Sequence, residues 1–239
     1  GRLRANRPKP PAMELAVARE ISAVCHSLTR MDFQVDSTRF VLDSLIELYA
    51  GERGGDVLAR VRGLSTLGIA LTMFRARRLA HDRVAEALLL ARESGHPAAM
   101  VVAIFARGWL QWRDGSLDDS AQSFKQSAAA ANEIGDIGAW ATGLGLYAWV
   151  LYHRADFAST AKLAAEIVRV GENAGDPNVV SFGTELLGLV NMAIGPLDVA
   201  AARLMKFREL SIQSSDYRRW IAALSLLAKT HLRQGRVCE

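Results

Sequence analysis

The segment whose residue types come nearest to a cofactor-binding motif is Gly143 to Ala148, which matches the pattern G-x-G-x-x-A. In dinucleotide-binding proteins this pattern follows a strand and begins a helix, where free backbone N–H groups bind the pyrophosphate. Here it lies inside a long uncharged run, Ile137 to Tyr152, which we interpret as a buried helix. Its N–H groups are then already hydrogen-bonded, so the sequence predicts no nucleotide cofactor.

Other patterns that support catalysis or metal binding are incomplete in this sequence. Gly63-Leu64-Ser65 begins like a nucleophile elbow, but the second glycine of that motif is missing. No G-x-x-x-x-G-K-[ST] phosphate loop occurs. The histidines never fall at the H-x-x-x-H or H-E-x-x-H spacing of zinc sites: His26, His81, His96, His153 and His231. We therefore predict that this segment is not an enzyme and binds neither a metal nor another cofactor.

Aromatic and basic residues recur at a fixed spacing that suggests recognition. Three pairs of residues are each 40 positions apart: Trp109 and Trp149, Trp112 and Tyr152, and Arg113 and His153. Trp, Tyr and Arg are frequent energetic anchors of protein interfaces. The alternative is that two or three of the aromatic rings fill space between helices and belong to the core.

The same interval organises most of the chain. The dipeptide Gly55-Asp56 has counterparts at Gly95-His96, Gly135-Asp136, Gly175-Asp176 and Ser215-Asp216. Small residues keep the same step in two further columns: Gly63, Ala103, Gly143, Gly183 and Ala223, and Gly68, Gly108, Ala148, Gly188 and Ala228. Three columns with one period indicate a repeat architecture. The small residues indicate that helices cross closely there, because a glycine otherwise costs a helix about 1 kcal/mol.

Within one unit, the spacing of apolar residues predicts two helices. Between Met100 and Trp112 they fall three and four positions apart, which is the spacing of one helix face. Asp114-Gly115 breaks this pattern, Ser116 is placed to cap a second helix, and Gly135 is placed to end it. The sequence therefore predicts an all-α fold, a TPR-like α-α superhelix of about five and a half antiparallel helix pairs.

The predicted repeat domain covers residues 13–239 and follows a basic, proline-rich linker at residues 1–12. The predicted units are 13–54, 55–94, 95–134, 135–174, 175–214 and a partial unit, 215–239. The last unit stops as its second helix begins, and an uncapped repeat end exposes apolar surface. We therefore expect the chain to be part of a longer protein, or its end to be covered by a partner.

Charge and cysteine content exclude several partners. The formal net charge is +4, but four basic residues and no acidic ones lie in residues 1–10, so residues 11–239 are balanced at 25 basic and 25 acidic side chains. A nucleic-acid footprint is not supported. Cys25 and Cys238 are not at metal or redox spacing, which favours a reduced cytoplasmic setting. The longest uncharged run is too short to span a bilayer comfortably.

Several segments resemble the tetratricopeptide (TPR) unit. Leu67-Gly68, Arg77-Arg78-Leu79-Ala80 and the run from Ala87 to Gly95 resemble one such unit, and Leu187-Gly188 with the run from Gly195 to Ala200 resembles another. The repeat here is longer than the usual TPR unit, which has about 34 residues. This longer version resembles arrays in large bacterial signalling proteins, where a P-loop ATPase module precedes the repeats. Such proteins include ATPase-linked adenylate/guanylate cyclases, ATPase-linked kinases and transcription activators of the maltose-activator type.

The resemblance implies that the first helix of each pair lines a groove. On that basis we predict a partner-binding groove formed by Trp109, Trp112, Arg113, Trp149, Tyr152, His153 and Glu185. We expect a non-catalytic scaffold or sensor segment of a multidomain bacterial signal-transduction protein, which binds a protein, a peptide or other domains of its own chain and contacts no nucleic acid or membrane. The alternative is a free-standing TPR-like adaptor that binds peptides or self-associates through its uncapped C-terminal end.

Overall fold

The computed structural model of the protein describes residues 11–32 and 36–236. Most of the predicted linker, and Val237, Cys238 and Glu239 at the end of the partial sixth unit, lie outside the described residues. Within the described part of the chain, the secondary structure is α-helical throughout, with no strand. This confirms the predicted all-α fold. No helix there is long and apolar enough to cross a membrane.

The chain divides into two compact units, Gly1–Asp114 and Gly115–Glu239. The first unit contains five described helices: α1 (Ala12–Asp32), α2 (Ser37–Gly54), α3 (Val57–Met73), α4 (Arg77–Ser94) and α5 (Pro97–Arg113). The second unit contains six: α6 (Leu117–Glu133), α7 (Ile137–His153), α8 (Phe157–Ala174), α9 (Pro177–Ile194), α10 (Leu197–Gln213) and α11 (Tyr217–Arg233). The third predicted repeat, 95–134, is divided between the units: its first helix, α5, belongs to the first unit and its second helix, α6, to the second unit.

Consecutive helices pack against each other within each unit, which is the arrangement of an α-α solenoid. In the first unit α3 packs against α4 and also against α5, the first helix of the following pair. In the second unit α7 packs against α8 and against α9 in the same way. Because each pair buries one face on its neighbour, apolar residues return at a constant interval along the chain.

The recurrent aspartates begin helices, as the repeat pattern predicts. Asp136 accepts a hydrogen bond from the backbone N–H of Ala139 at 2.9 Å. The same kind of N-cap bond is made by five further aspartates in the described part of the chain: Asp36, Asp56, Asp156, Asp176 and Asp216. Such bonds satisfy backbone donors that the first turn of a helix leaves unpaired. Ser116 occupies the N-cap position of α6 as expected, but its side chain makes no capping hydrogen bond.

The small-residue columns mark places where helices approach within backbone contact. A Cβ atom added to Gly63 on α3 would lie 2.6 Å from the Cα atom of Leu48 on α2. A Cβ atom on Gly183 of α9 would lie 2.7 Å from the carbonyl oxygen of Ala164 on α8. Both distances are shorter than real Cβ contacts, so glycine is required at these crossings.

Each unit has its own apolar core between the two layers of helices. In the first unit, one cluster includes Phe40, Val84 and Leu110, and a second includes Val61 and Leu64. In the second unit, one cluster centres on Ile167, Phe182 and Leu186, and another on Leu189, Leu204 and Phe207. These clusters fix the first helices of the pairs, which carry the predicted groove residues.

Candidate partner-binding surface

Three of the predicted groove residues lie at the C-terminal end of α5 in the first unit. Trp109 is half-buried and packs on the apolar cluster that contains Phe40 and Leu110. The ring of Trp112, also half-buried, meets that of Trp109 edge to face, with 5.3 Å between the ring centroids. Arg113, the last residue of α5, is exposed. One tryptophan thus anchors the set in the core, while the arginine faces solvent.

The equivalent residues at the end of α7 form a compact aromatic cluster in the second unit. The imidazole of His153 stacks on the indole of Trp149, with centroids 5.5 Å apart and planes inclined by 29°. The ring of Tyr152 meets Trp149 edge to face at 5.9 Å and also contacts Phe157 at the start of α8. His153 is exposed, whereas Trp149 and Tyr152 are half-buried.

The half-buried rings of α7 also serve the core. Trp149 packs on both apolar clusters of the second unit, and Tyr152 packs on the cluster that contains Leu189 and Leu204. At the end of α7, core packing by the aromatic rings is therefore compatible with a role of the same helix end in an interface. One side of each ring fills space between α7, α8 and α9, and His153 at the end of the helix stays accessible.

Glu185 lies on α9, the first helix of the following pair, and is half-buried. Burial raises the pKa of its carboxyl group, an effect that the guanidiniums of Arg219 and Arg218 on α11 partly offset. The Arg219 guanidinium lies over the ring of Phe182 at 5.0 Å and donates a hydrogen bond to the carbonyl oxygen of Asn178 at 2.9 Å. The α9 face thus carries an acidic group whose charge the fold disfavours.

The structure also contains a buried polar pair that the sequence reasoning missed. Glu47 on α2 is fully buried, and its Oε1 lies 3.5 Å from Nδ1 of His26 on α1. The neighbouring Cys25 thiol has a raised pKa because of burial and because of the Asp43 and Glu47 carboxylates. A signal existed in the sequence, since Glu47 falls seven positions after Phe40 on the buried face of α2. Among the described residues, no group of three His, Cys, Asp or Glu side chains is arranged to hold a metal ion.

A second feature missed by the sequence reasoning is a basic cavity in the first unit. Arg113 lines it together with residues of the turn between α3 and α4 and of the first turns of α4. Arg75 and Arg77 lie close together in the sequence, but nothing in their local spacing shows that the end of α5 approaches them.

The fold matches solved structures, although the sequence matches little. No protein-family model matches this chain, and no curated protein matches it either. The structure is similar to that of a Signal Transduction ATPase with Numerous Domains (STAND) protein with a tetratricopeptide repeat sensor from Pyrococcus horikoshii. The TM-score is 0.70 at 12% identity, and the match covers 93% of this chain and 35% of that protein.

A second similar structure is that of BtubC (BKLC) from P. vanneervenii. Its TM-score is 0.63 at 16% identity, and the match covers 95% of this chain and 86% of that one. Both likenesses are at the level of fold. Together with the helix-pair packing, they define the chain as a TPR-like helical repeat. This chain spans about a third of the length of the STAND protein.

Proposed function

We propose that this chain is a non-catalytic protein-interaction or sensor segment of a larger bacterial signal-transduction protein. The observation that carries the proposal is the aromatic cluster at the end of α7, where the exposed imidazole of His153 is held on Trp149 beside Tyr152. The structural likeness to the STAND protein, a signal-transduction ATPase with a tetratricopeptide repeat sensor, supports the proposal. The parent protein would then carry an ATPase with a cyclase, kinase or transcription-regulating output.

The cluster has the physical properties of an interface anchor. Stacking on Trp149 restricts the His153 ring before a partner arrives, so binding loses less side-chain entropy. Trp and Tyr supply large apolar contact areas and an N–H or O–H group at their edges. A helix or extended peptide from a partner, or from another domain of the same chain, is the ligand that suits a row of helices. Trp109, Trp112 and Arg113 would supply the same chemistry in the first unit, and Glu185 an acidic contact on α9.

Site-directed photo-crosslinking in the source cell tests this function. A photoreactive phenylalanine analogue would replace His153 or Arg113, both exposed ends of first helices. The matched controls are Lys162 on α8 and Lys125 on α6, which are exposed on second helices. We expect one defined protein product, or one internal cross-link in the parent chain, from the first pair only. Equal products from all four positions, or none from His153 and Arg113, would contradict the proposal.

Self-association is the second candidate function, and one observation favours it. The last described helix, α11, exposes an apolar stripe at helical spacing: Tyr217, Ile221, Leu224 and Leu232. Exposed stripes of this kind are typical of interaction sites. Light scattering at several protein concentrations separates the candidates, because a tight dimer that Ile221→Asp dissociates supports self-association. A monomer at all concentrations supports the signalling segment.

A further inference from the structure

The turn between α3 and α4 and the end of α5 line a cavity of about 220 Å³ in the first unit, which is open to solvent on one side. Its floor is apolar, formed by Ala80 and Leu110, both buried. Its walls are charged, and they bring together side chains from two turns that are distant in sequence: Arg75, Arg77, His81, Arg113 and Asp114. Three guanidiniums and one imidazole therefore share one cavity with a single carboxylate.

That single carboxylate is already engaged. Oδ1 of Asp114 lies 2.5 Å from Nη2 of Arg77, and its Oδ2 lies 2.7 Å from Nε2 of His81. The other two guanidiniums, of Arg75 and Arg113, form no ion pair with any residue in the described part of the chain. With three guanidiniums and one carboxylate, the cavity thus has a formal charge of +2.

The backbone of Arg75 adopts a left-handed conformation that recurs at this turn of the repeat. Arg75 has φ +58°, in the left-handed region, in the turn that follows α3. The equivalent turn positions in later repeats include Gly115 at φ +84°, Ala155 at φ +59° and Gly235 at φ +76°. Glycine adopts this conformation without steric strain, whereas other residues do not. Arg75→Gly therefore removes the guanidinium and relieves backbone strain at the same time.

We propose that this cavity binds the phosphate group of a small phosphomonoester. A phosphomonoester carries a charge of about −1.5 to −2 at neutral pH, which complements the net charge of the cavity. Guanidiniums bind phosphate oxygens through paired N–H groups, and the free forks of Arg75 and Arg113 are available for this. The volume suits a phosphate with a few further atoms, because pockets for larger ligands measure roughly 300–1,000 Å³.

This site goes beyond the proposed protein-interaction surface and is separable from it. Arg113 belongs to both, whereas Arg75 lines only the cavity. A variant at Arg75 therefore tests phosphate binding alone. Cross-linking at His153 in the second unit should be unchanged in that variant, so failure of one proposal leaves the other intact.

The decisive experiment is calorimetric titration of the full chain with glycerol phosphate and with inorganic phosphate at 150 mM NaCl. We expect binding at one site, weakened about tenfold or more by Arg75→Gly, because one charge-assisted contact is lost. Glycine suits the left-handed position, so the melting temperature should not fall in this variant. The matched control is Arg78→Ala, an exposed residue of the same segment outside the cavity, which should change the affinity less than twofold.

Four outcomes would overturn the proposal. One is no saturable binding of either phosphate below about 10 mM, a dissociation constant that corresponds to a very weak contact. Another is an equal loss of phosphate affinity in Arg75→Gly and in Arg78→Ala, which would indicate diffuse charge attraction. A third is acetate binding as tightly as glycerol phosphate, which would indicate a carboxylate site. The fourth is binding of inorganic phosphate but not of its ester, which would indicate an adventitious ion only.

Discussion

His153 and Trp149, one helical turn apart on α7, stack with their ring centroids 5.5 Å apart and their planes inclined by 29°. Trp149 reaches the apolar clusters of the second unit, and His153 is exposed. The tryptophan therefore links the core to the surface, and the histidine presents a ring whose orientation the core controls. Mutations at the two residues should therefore have separable effects, on stability for Trp149 and on partner binding for His153.

Trp149→Ala should lower the free energy of unfolding by about 2–3 kcal/mol, because a large ring that fills space between helices is removed. His153→Ala should cost less than about 1 kcal/mol, since it removes ring contacts with Trp149 and Tyr152 at an exposed position. Urea unfolding followed by circular dichroism measures both. Equal losses would show that His153 is a packing residue and would remove it from the candidate surface.

Gly183→Val should destabilise the second unit by about 2–3 kcal/mol. Its Cβ atom would meet the carbonyl oxygen of Ala164 at 2.7 Å, so α8 and α9 would have to move apart. The matched control is Gly138→Ala on α7, where a Cβ atom meets only Asp136 Oδ1 at an ordinary 3.6 Å. That control should be neutral or should gain up to about 1 kcal/mol of helix propensity. If Gly183→Val is tolerated as well as the control, the close helix crossing is wrong.

Asp136→Ala should cost about 1 kcal/mol, because it removes the 2.9 Å capping bond to the N–H of Ala139. Ser116→Ala is the control at the same position of α6, where the side chain makes no capping bond. It should change the melting temperature little. Thermal unfolding of both variants measures this difference. A larger fall in melting temperature from Ser116→Ala than from Asp136→Ala would contradict the assigned caps.

Glu185→Gln should stabilise the protein at neutral pH. Since burial raises the pKa of Glu185 above its ordinary value of 4.5, the folded protein keeps this proton to higher pH than the unfolded chain does. The contribution of Glu185 to the unfolding free energy is therefore largest below pH 4.5 and falls as the pH rises through the folded-state pKa.

Denaturant unfolding between about pH 4 and pH 7 measures this effect. The difference between Glu185→Gln and the parent should grow in favour of the variant as the pH rises. Glu209→Gln on α10, an exposed site, is the control and should show no such trend. A variant that loses stability at pH 7 would show that attraction to the nearby Arg219 guanidinium outweighs the burial of the carboxylate.

The helices were largely predictable because the signals that define them are local. In each Gly-Asp dipeptide, the glycine is suited to end one helix in the left-handed conformation and the aspartate to cap the next helix. Gly135 and Asp136 behave in this way. Gly195, in the turn between α9 and α10, does not adopt the left-handed conformation of Gly115 and Gly235 at the equivalent turns: its φ is −104°, and Pro196 follows at the N-cap position of α10. Proline restricts the residue before it to extended conformations, so the repeat position alone did not determine the backbone there.

The candidate sites were less predictable, because they depend on contacts distant in sequence. The sequence placed Trp149 and His153 on one helix but did not show that Trp149 joins two apolar clusters. The basic cavity arises because Asp114 meets Arg77, which lies 37 residues earlier. Local spacing carries no information about such a pair, although the repeat period brings these two turns into neighbouring repeats.

The affinity of a His153→Glu variant for the partner identified by cross-linking tests the central claim most directly. This substitution replaces the exposed ring that stacks on Trp149 with a charged side chain. It should weaken binding at least tenfold, because hot-spot contacts at the centre of an interface dominate the binding energy. The protein should stay folded. Ala165→Glu on the exposed face of α8 introduces the same charge and should leave the affinity within twofold. If both variants bind the partner as tightly as the parent does, the end of α7 is not the recognition surface.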